Sequence, residues 1–376
     1  MASKPSDGAL KADGVLNFVQ PHILELLGYE PIEPVNVLAE RIGVPEDQIV
    51  KLDGNENPYG PSPRVLEALG NFDSYHRYGD PKQRELRRAI GEYVGVGPEH
   101  VVAGAGSDEL IDLLVRATLG PGDAVIDCPP TFGMYGFSTR VAGGRVIEAP
   151  RRDDFSLDID AVEAAAADAK AIFVASPNNP TGNPLGEADL EALLATGLLV
   201  VVDEAYAEFS GTSVVSQVPE RTNLVVLRTF SKWAGLAGLR AGYGIMPATL
   251  ANVLMHMKPP YSPNMAAEVA MLASLEEREP LMERVNEIVR ERERMAKQLA
   301  ALEFMDAYPS EANFILTRIS GGDGRSVRDS LAKAGIFVRY FDTPRLRDCI
   351  RISVGTASDT DRVTEALREE GGQRGT

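Results

Sequence analysis

The sequence predicts an α/β protein: a large domain with a mostly parallel sheet covered by helices, followed by a smaller α+β domain. Short, wholly apolar runs alternate with helix-period stretches through the middle of the chain. That pattern suits strands buried on both faces by crossover helices. After about residue 262 the texture changes to long charged helices and then closely spaced short strands. The chain's 376 residues, 44% of them apolar, supply core for more than one domain.

In chain order, residues 1–14 read as a flexible lead-in with no apolar stretch of signal-peptide length. Residues 1–50 form an arm and part of the small domain, with a helix near 35–41. The large domain spans 51–270, with strands at 101–103, 124–127, 145–148, 171–175, 198–203 and 224–228. Helical patterns at 84–94, 108–118, 161–167 and 190–195 lie between them. The small domain, 271–376, holds helices over 265–302 broken near Pro280 and strands at 314–318, 337–340 and 349–354. A helix at 327–334 and a terminal helix complete it, and the polar, Gly-rich tail 369–376 is expected to fray.

Composition excludes several function classes. A formal net charge of −17 argues against nucleic acid and anionic membrane as partners, since both call for a basic face. A small anionic substrate answers to local charge and stays open. No apolar run reaches the ~18 residues of a membrane span. Cys128 and Cys349 lie far apart and suggest neither a disulfide framework nor a metal cluster. Both are read as packing residues, and the compartment as reducing cytoplasm.

Four local features carry chemistry. Thr229-Phe230-Ser231-Lys232 follows a buried strand, and Arg240 lies eight residues on, so two cations and a hydroxyl can converge on one anion. Alone, such a lysine is more often a solvated loop cation. Asp203 ends a very apolar strand, where open α/β sheets place ligands, and Tyr206 follows it. Ser176-Pro177-Asn178-Asn179-Pro180-Thr181-Gly182 also follows a strand and is equally readable as a plain turn. Gly104-Ala105-Gly106-Ser107-Asp108 sits between a strand and a helix, where backbone N–H groups can meet an anion.

Read together and in this order, the four resemble the pyridoxal-phosphate-dependent aminotransferases of the aspartate aminotransferase superfamily, fold type I. Within it, the chain looks like the histidinol-phosphate aminotransferase family. The stretches 55–63, 77–81, 128–135, 176–182, 203–206 and 351–355 carry the likeness, which runs from about Tyr29 to the last helix.

The resemblance implies a seven-stranded main sheet, pyridoxal phosphate as cofactor and a role for each matching residue. Lys232 carries the cofactor covalently and is the catalytic base, with Asp203 facing the ring nitrogen and Asn179 and Tyr206 the ring's phenolic oxygen. Gly106, Ser107, Asp108, Ser231 and Arg240 hold the phosphate, and Phe132 stacks on the ring. Tyr78 reaches the neighbouring subunit's cofactor, which implies a homodimer with shared active sites. Tyr29, Asn57, Asn179, Arg339 and Arg351 contact substrate. Burial and Arg240 are expected to depress the Lys232 pKa.

The implied reaction is a two-stage ping-pong transamination of L-histidinol phosphate with 2-oxoglutarate, in histidine biosynthesis. Two alternatives stay open on the same scaffold: an aromatic or broad-specificity amino acid aminotransferase, and a phosphothreonine decarboxylase. Two residues depart from the family's habit. Trp233, the only tryptophan, follows the lysine where Ala or Ser is frequent, and either walls the site or packs. Phe132 stands where a tyrosine is common.

Overall fold

A computed structural model describes residues 14–29 and 31–374. The lead-in of residues 1–13 lies outside the described residues, and the first described element is a short helical turn at Gly14–Phe18. Two sheets organise the molecule. The strands are β1 (Val50–Leu52), β2 (Val101–Gly104), β3 (Ala124–Asp127), β4 (Arg145–Glu148), β5 (Ala171–Ala175) and β6 (Leu199–Asp203), then β7 (Leu224–Thr229), β8 (Gly242–Ile245), β9 (Met305–Ala307), β10 (Phe314–Ile319), β11 (Ile336–Tyr340) and β12 (Cys349–Ser353).

The larger sheet has seven strands in the order β2-β8-β7-β6-β5-β3-β4, and only β8 runs antiparallel to its neighbours. Successive side chains on a strand point to opposite faces. Phe173 and Val201 therefore pack with the helix Ser107–Thr118 on one face, while Ile172, Val174, Val200 and Val202 pack with Leu190 and Leu193 on the other. Both faces are covered, which explains the unbroken apolar runs in the sequence.

Strand β8 was not foreseen, because its Gly242-Tyr243-Gly244 start lacks a strand signature. Gly242 has a steric reason to be there. A Cβ on it would lie 2.4 Å from the Ser107 backbone nitrogen, so its absence lets the N-terminus of Ser107–Thr118 rest directly on the strand.

The smaller sheet has the order β1-β11-β12-β10-β9. Strand β1 comes from the start of the chain and pairs in parallel with β11, Val50 opposite Ile336. The residues just after β1 are thereby held where the two sheets meet. The long helix Arg278–Ala300 carries Pro280 in its first turn, where a missing N–H costs nothing, and the break from Met265–Glu276 falls at Glu277.

The terminal helix, Ala357–Arg374, continues through most of the tail that composition suggested would fray. Gly371 closes tightly on Phe304, and the Ser330 hydroxyl donates to Glu370 at 2.6 Å, which ties the helix end down. Trp233 packs and does not wall the site. It is fully buried, stacked on Tyr93 at 5.6 Å with Phe230 at 5.3 Å. Cys128 and Cys349 are buried and free, and burial pushes both thiols up to about 12, so neither is a nucleophile. Among the described residues, no helix is long and apolar enough to cross a membrane.

Candidate active site

Strands β2, β3, β5, β6 and β7 are mutually parallel, so the segments after them emerge along one edge of the sheet. There they meet the residues that follow β1 and the ends of β11 and β12. A cavity of about 550 Å³ lies at this junction. Of the residues singled out in the sequence, Tyr29, Ser107, Asp108, Phe132, Asn179, Asp203, Tyr206, Ser231, Lys232, Arg240, Arg339 and Arg351 all line it.

Lys232 is delivered by the turn that ends β7. Its Nζ donates to the Gly54 carbonyl at 3.1 Å and sits 6.0 Å from the Tyr206 ring centre. Burial lowers its pKa to about 8, and the charge on Arg351 adds to the effect; Arg240 contributes least among the named causes. The sequence had pointed to Arg240 as the main charge, so the structure shifts that role to the buried arginine across the cavity. A neutral amine is what attacks an aldehyde. Capture of the cofactor by the apo-protein should therefore quicken as pH rises toward about 8 and level off above it, as the cationic form is lost. Stopped-flow absorbance checks this, and a rate flat from pH 6 to 9 would contradict it.

Asp203, at the end of β6, is 4% exposed. Its Oδ1 accepts the Ala205 backbone N–H at 3.1 Å and its Oδ2 accepts the Tyr135 hydroxyl at 2.8 Å. Burial raises it to about 6, opposed first by the Tyr135 hydrogen bond. Tyr206 accepts from the Asn55 side-chain amide at 2.9 Å, and burial pushes its phenol up to about 12, so it keeps its proton.

The Asn178-Asn179 pair divides the structural and functional readings between its members. Asn178 is fully buried and binds the Pro130 carbonyl and Thr181, locking the turn. Asn179 turns into the cavity and accepts from Arg351 at 2.6 Å.

Arg339 and Arg351 are direct cross-strand partners on β11 and β12. Like charges placed opposite each other destabilise a sheet. Both side chains flank Phe341, at 5.6 and 5.7 Å from its ring centre. Arg351 is 5% exposed, donates to the Asp53 carbonyl at 2.5 Å and keeps its Nε without a hydrogen-bond partner. Burial and Arg339 lower its pKa to about 10, yet it stays cationic at neutral pH.

On the phosphate side, Gly106 has φ of 83° and would drive a Cβ to 2.7 Å from the Arg240 guanidinium. Gly106 lies behind the cavity wall, and its lack of a side chain lets Arg240 close on Asp108 at 2.7 Å beside the helix N-terminus. Ser231 accepts from Thr229 at 2.9 Å.

Two residues singled out in the sequence lie elsewhere. Asn57 does not line the cavity: it is buried, donates to the Trp233 carbonyl at 2.9 Å and accepts from the Tyr59 N–H at 3.0 Å. Its neighbour Asn55, in the left-handed region at φ 52°, occupies the wall instead. Asn55 also bonds Ser353 of β12 and Asn313, the residue before β10. Tyr78 is 80% exposed, outside the cavity, and stacked on Tyr261 at 4.1 Å. Tyr135 and Asn55 are the site residues that sequence reasoning missed.

The cavity therefore combines a buried amine of lowered pKa, a buried carboxylate, a phenol and a carboxamide, an arginine beside a helix N-terminus, and two further arginines. A model of the class I and II aminotransferases matches residues 47–368. A histidinol-phosphate aminotransferase of Roseiflexus castenholzii is 50% identical over 94% of this chain and 98% of its own. The chain belongs to the histidinol-phosphate aminotransferase family.

A chloroplastic member of the family from Arabidopsis thaliana is 45% identical over 94% of this chain and 86% of its own. The crystal structure of histidinol-phosphate aminotransferase from Sinorhizobium meliloti, in complex with pyridoxal-5'-phosphate, superposes with a TM-score of 0.86 at 27% identity, covering 95% and 98% of the two chains. The protein is an aminotransferase with pyridoxal phosphate as its cofactor. The residues present fit that group: an amine for its aldehyde, a carboxylate for its ring nitrogen, and an arginine and serine hydroxyls for its phosphate.

Proposed function

We propose that the protein catalyses transamination between L-histidinol phosphate and 2-oxoglutarate, as a cytoplasmic homodimer. The observation that carries the substrate assignment is the opposed pair Arg339 and Arg351, facing one cavity with Lys232. A sheet that sets two guanidiniums against each other is stabilised when an anion lies between or beside them. Planar guanidiniums accept phosphate and carboxylate alike. The first substrate carries a phosphate and no carboxylate, and the second carries two carboxylates, so one anchor serves both halves of the reaction.

Bound pyridoxal phosphate supplies an electron sink for the pair left on the substrate carbon after deprotonation. The chain's residues do the rest. Lys232 would tether the cofactor, and its free amine would take the proton from the amine-bearing carbon as a base and give it up again as an acid. Asp203 keeps the ring nitrogen protonated. Tyr206 and Asn179 hold the phenolic oxygen, and Phe132 packs against the ring face. Ser107, Ser231, Arg240 and the backbone near Asp108, beside Gly106, hold the phosphate. Tyr29 borders the opening, edge-on to Phe132 at 6.5 Å, and contacts substrate. Tyr78 completes the partner subunit's site, in keeping with its exposure and its distance from its own cavity. The two buried, unpaired thiols suit a reducing compartment.

Half-reaction spectroscopy tests the assignment. The loaded enzyme is mixed separately with histidinol phosphate, phenylalanine, glutamate and phosphothreonine, and conversion of the cofactor to its amine form is followed. Histidinol phosphate and glutamate should convert it fast, and Arg351→Leu should weaken both by about tenfold to a hundredfold. Rapid conversion by phenylalanine with none by histidinol phosphate would establish an aromatic aminotransferase. Carbon dioxide released from phosphothreonine would establish a decarboxylase.

A further inference from the structure

We infer that Tyr135 is a positioning residue for the reaction: its hydroxyl holds the Asp203 carboxylate ionised and aimed at the cofactor's ring nitrogen. The inference rests on the assignment of Asp203 to that nitrogen made above. It goes beyond that assignment because it concerns a side chain that stands behind the carboxylate.

The geometry carries it. Asp203 is 4% exposed, and among the described residues it has no salt-bridge partner; Arg228 pairs with Glu204 and Glu208 instead. Among the described residues, Tyr135, whose hydroxyl is 2.8 Å from Oδ2, is the only side chain hydrogen-bonded to it. An ionised carboxylate in such a place is costly unless hydrogen bonds satisfy it. Tyr135 is fully buried and its own phenol is pushed well above the ordinary range, first by burial and then by Asp203, so it keeps its proton and has one to donate to the carboxylate. Its ring cannot swing away: it stacks on Phe173 at 5.2 Å and 17°, and meets Phe132 edge-on at 5.5 Å. The Thr139 hydroxyl caps the Tyr135 carbonyl at 2.8 Å, anchoring the start of the helix Met134–Val141.

The entry into this helix thus serves two contacts. Phe132 presents its ring to the cavity, and Tyr135, three residues on, reaches the carboxylate from behind. With the backbone N–H of Ala205 on Oδ1 and Tyr135 on Oδ2, each carboxylate oxygen is held from the protein side. The remaining lone pairs are left for the cofactor. A carboxylate free to rotate or to take up a proton would lose both direction and charge.

Tyr135→Phe removes one oxygen and leaves the ring stacking intact, so the test is a double-mutant cycle with Asp203→Asn. Pyridoxal phosphate affinity of the apo-proteins is read by equilibrium dialysis, the visible spectrum is read on the loaded forms, and thermal melting reports folding. Tyr135→Phe alone should weaken cofactor binding about tenfold to a hundredfold and shift the absorbance band, because a hydrogen bond to a charged group is lost. In the Asp203→Asn background the same change should alter neither. Equal losses in both backgrounds would mark Tyr135 as ordinary packing and overturn the inference, as would an Asp203→Asn effect with no Tyr135→Phe effect. An Asp203→Asn variant with unchanged affinity and spectrum would instead overturn the assignment of Asp203 itself.

Discussion

Lys232→Ala is expected to abolish covalent capture of pyridoxal phosphate and to lower turnover by about 10⁴-fold, the upper range for loss of a positioned acid–base group. The reason lies in the cavity. The amine is the only one among the residues lining it, and burial holds it near a pKa of about 8, so a usable share is neutral at physiological pH. Borohydride reduction followed by mass spectrometry reads the covalent link directly, and steady-state kinetics read the rate. Lys232→Arg should fail as badly, although it keeps the charge, because a guanidinium does not give up its proton. The alanine variant should not melt earlier as apo-protein, since a buried amine with a depressed pKa costs stability whenever it is charged. A reducible adduct on another residue, or turnover within tenfold of the parent, would remove Lys232 from the centre of the mechanism.

Much of this site could be read in the sequence because its parts sit at strand ends. A parallel sheet sends every strand end to one edge, so strong local motifs such as Asp203 after β6 and Lys232 after β7 converge without any knowledge of distant contacts. What could not be read depends on register and on long-range pairing. Nothing near Arg339 shows that it stands opposite Arg351, which requires the β11–β12 alignment. Asn55 and Asn57 share one short motif, and the sequence singled out Asn57, whereas Asn55 lines the cavity. Only the left-handed backbone at Asn55, fixed by contacts to Ser353 and Asn313 far along the chain, turns Asn55 into the cavity and Asn57 toward Trp233.

The same division holds for the fold. Apolar runs disclosed the strands with dense side chains. Strand β8 stayed hidden because its glycines answer to the neighbouring helix N-terminus and not to strand propensity. The terminal helix was underestimated for the reason that composition counts glycines but not what they touch. Tyr135 lay inside a stretch already singled out, 128–135, but nothing local shows that its hydroxyl meets Asp203.

Asp203→Asn is expected to cost about 10²–10³-fold in kcat, the range seen when one preorganised electrostatic contact to developing charge is removed. The substitution keeps the volume and changes two things. It takes away the negative charge that stabilises a protonated ring nitrogen, so the electron pair left after proton removal by Lys232 has a poorer acceptor. It also disturbs the protein side. The carboxylate accepts one hydrogen bond on each oxygen, from Ala205 and from Tyr135, whereas a carboxamide offers one oxygen and one N–H group. With its oxygen toward the Ala205 N–H the amide turns its NH₂ toward the Tyr135 hydroxyl, which must change from donor to acceptor. The apo-variant should melt close to the parent, since both partners can stay bonded and the buried charge is relieved. Asp203→Glu keeps the charge but adds a methylene beneath a packed aromatic shelf, so its rate should fall between the two. Pre-steady-state measurement of the proton-transfer step separates these effects. If Asp203→Asn retained that step within tenfold while Lys232→Ala lost it, the ring nitrogen would have to be held by another group, and the carboxylate at the end of β6 would be structural only.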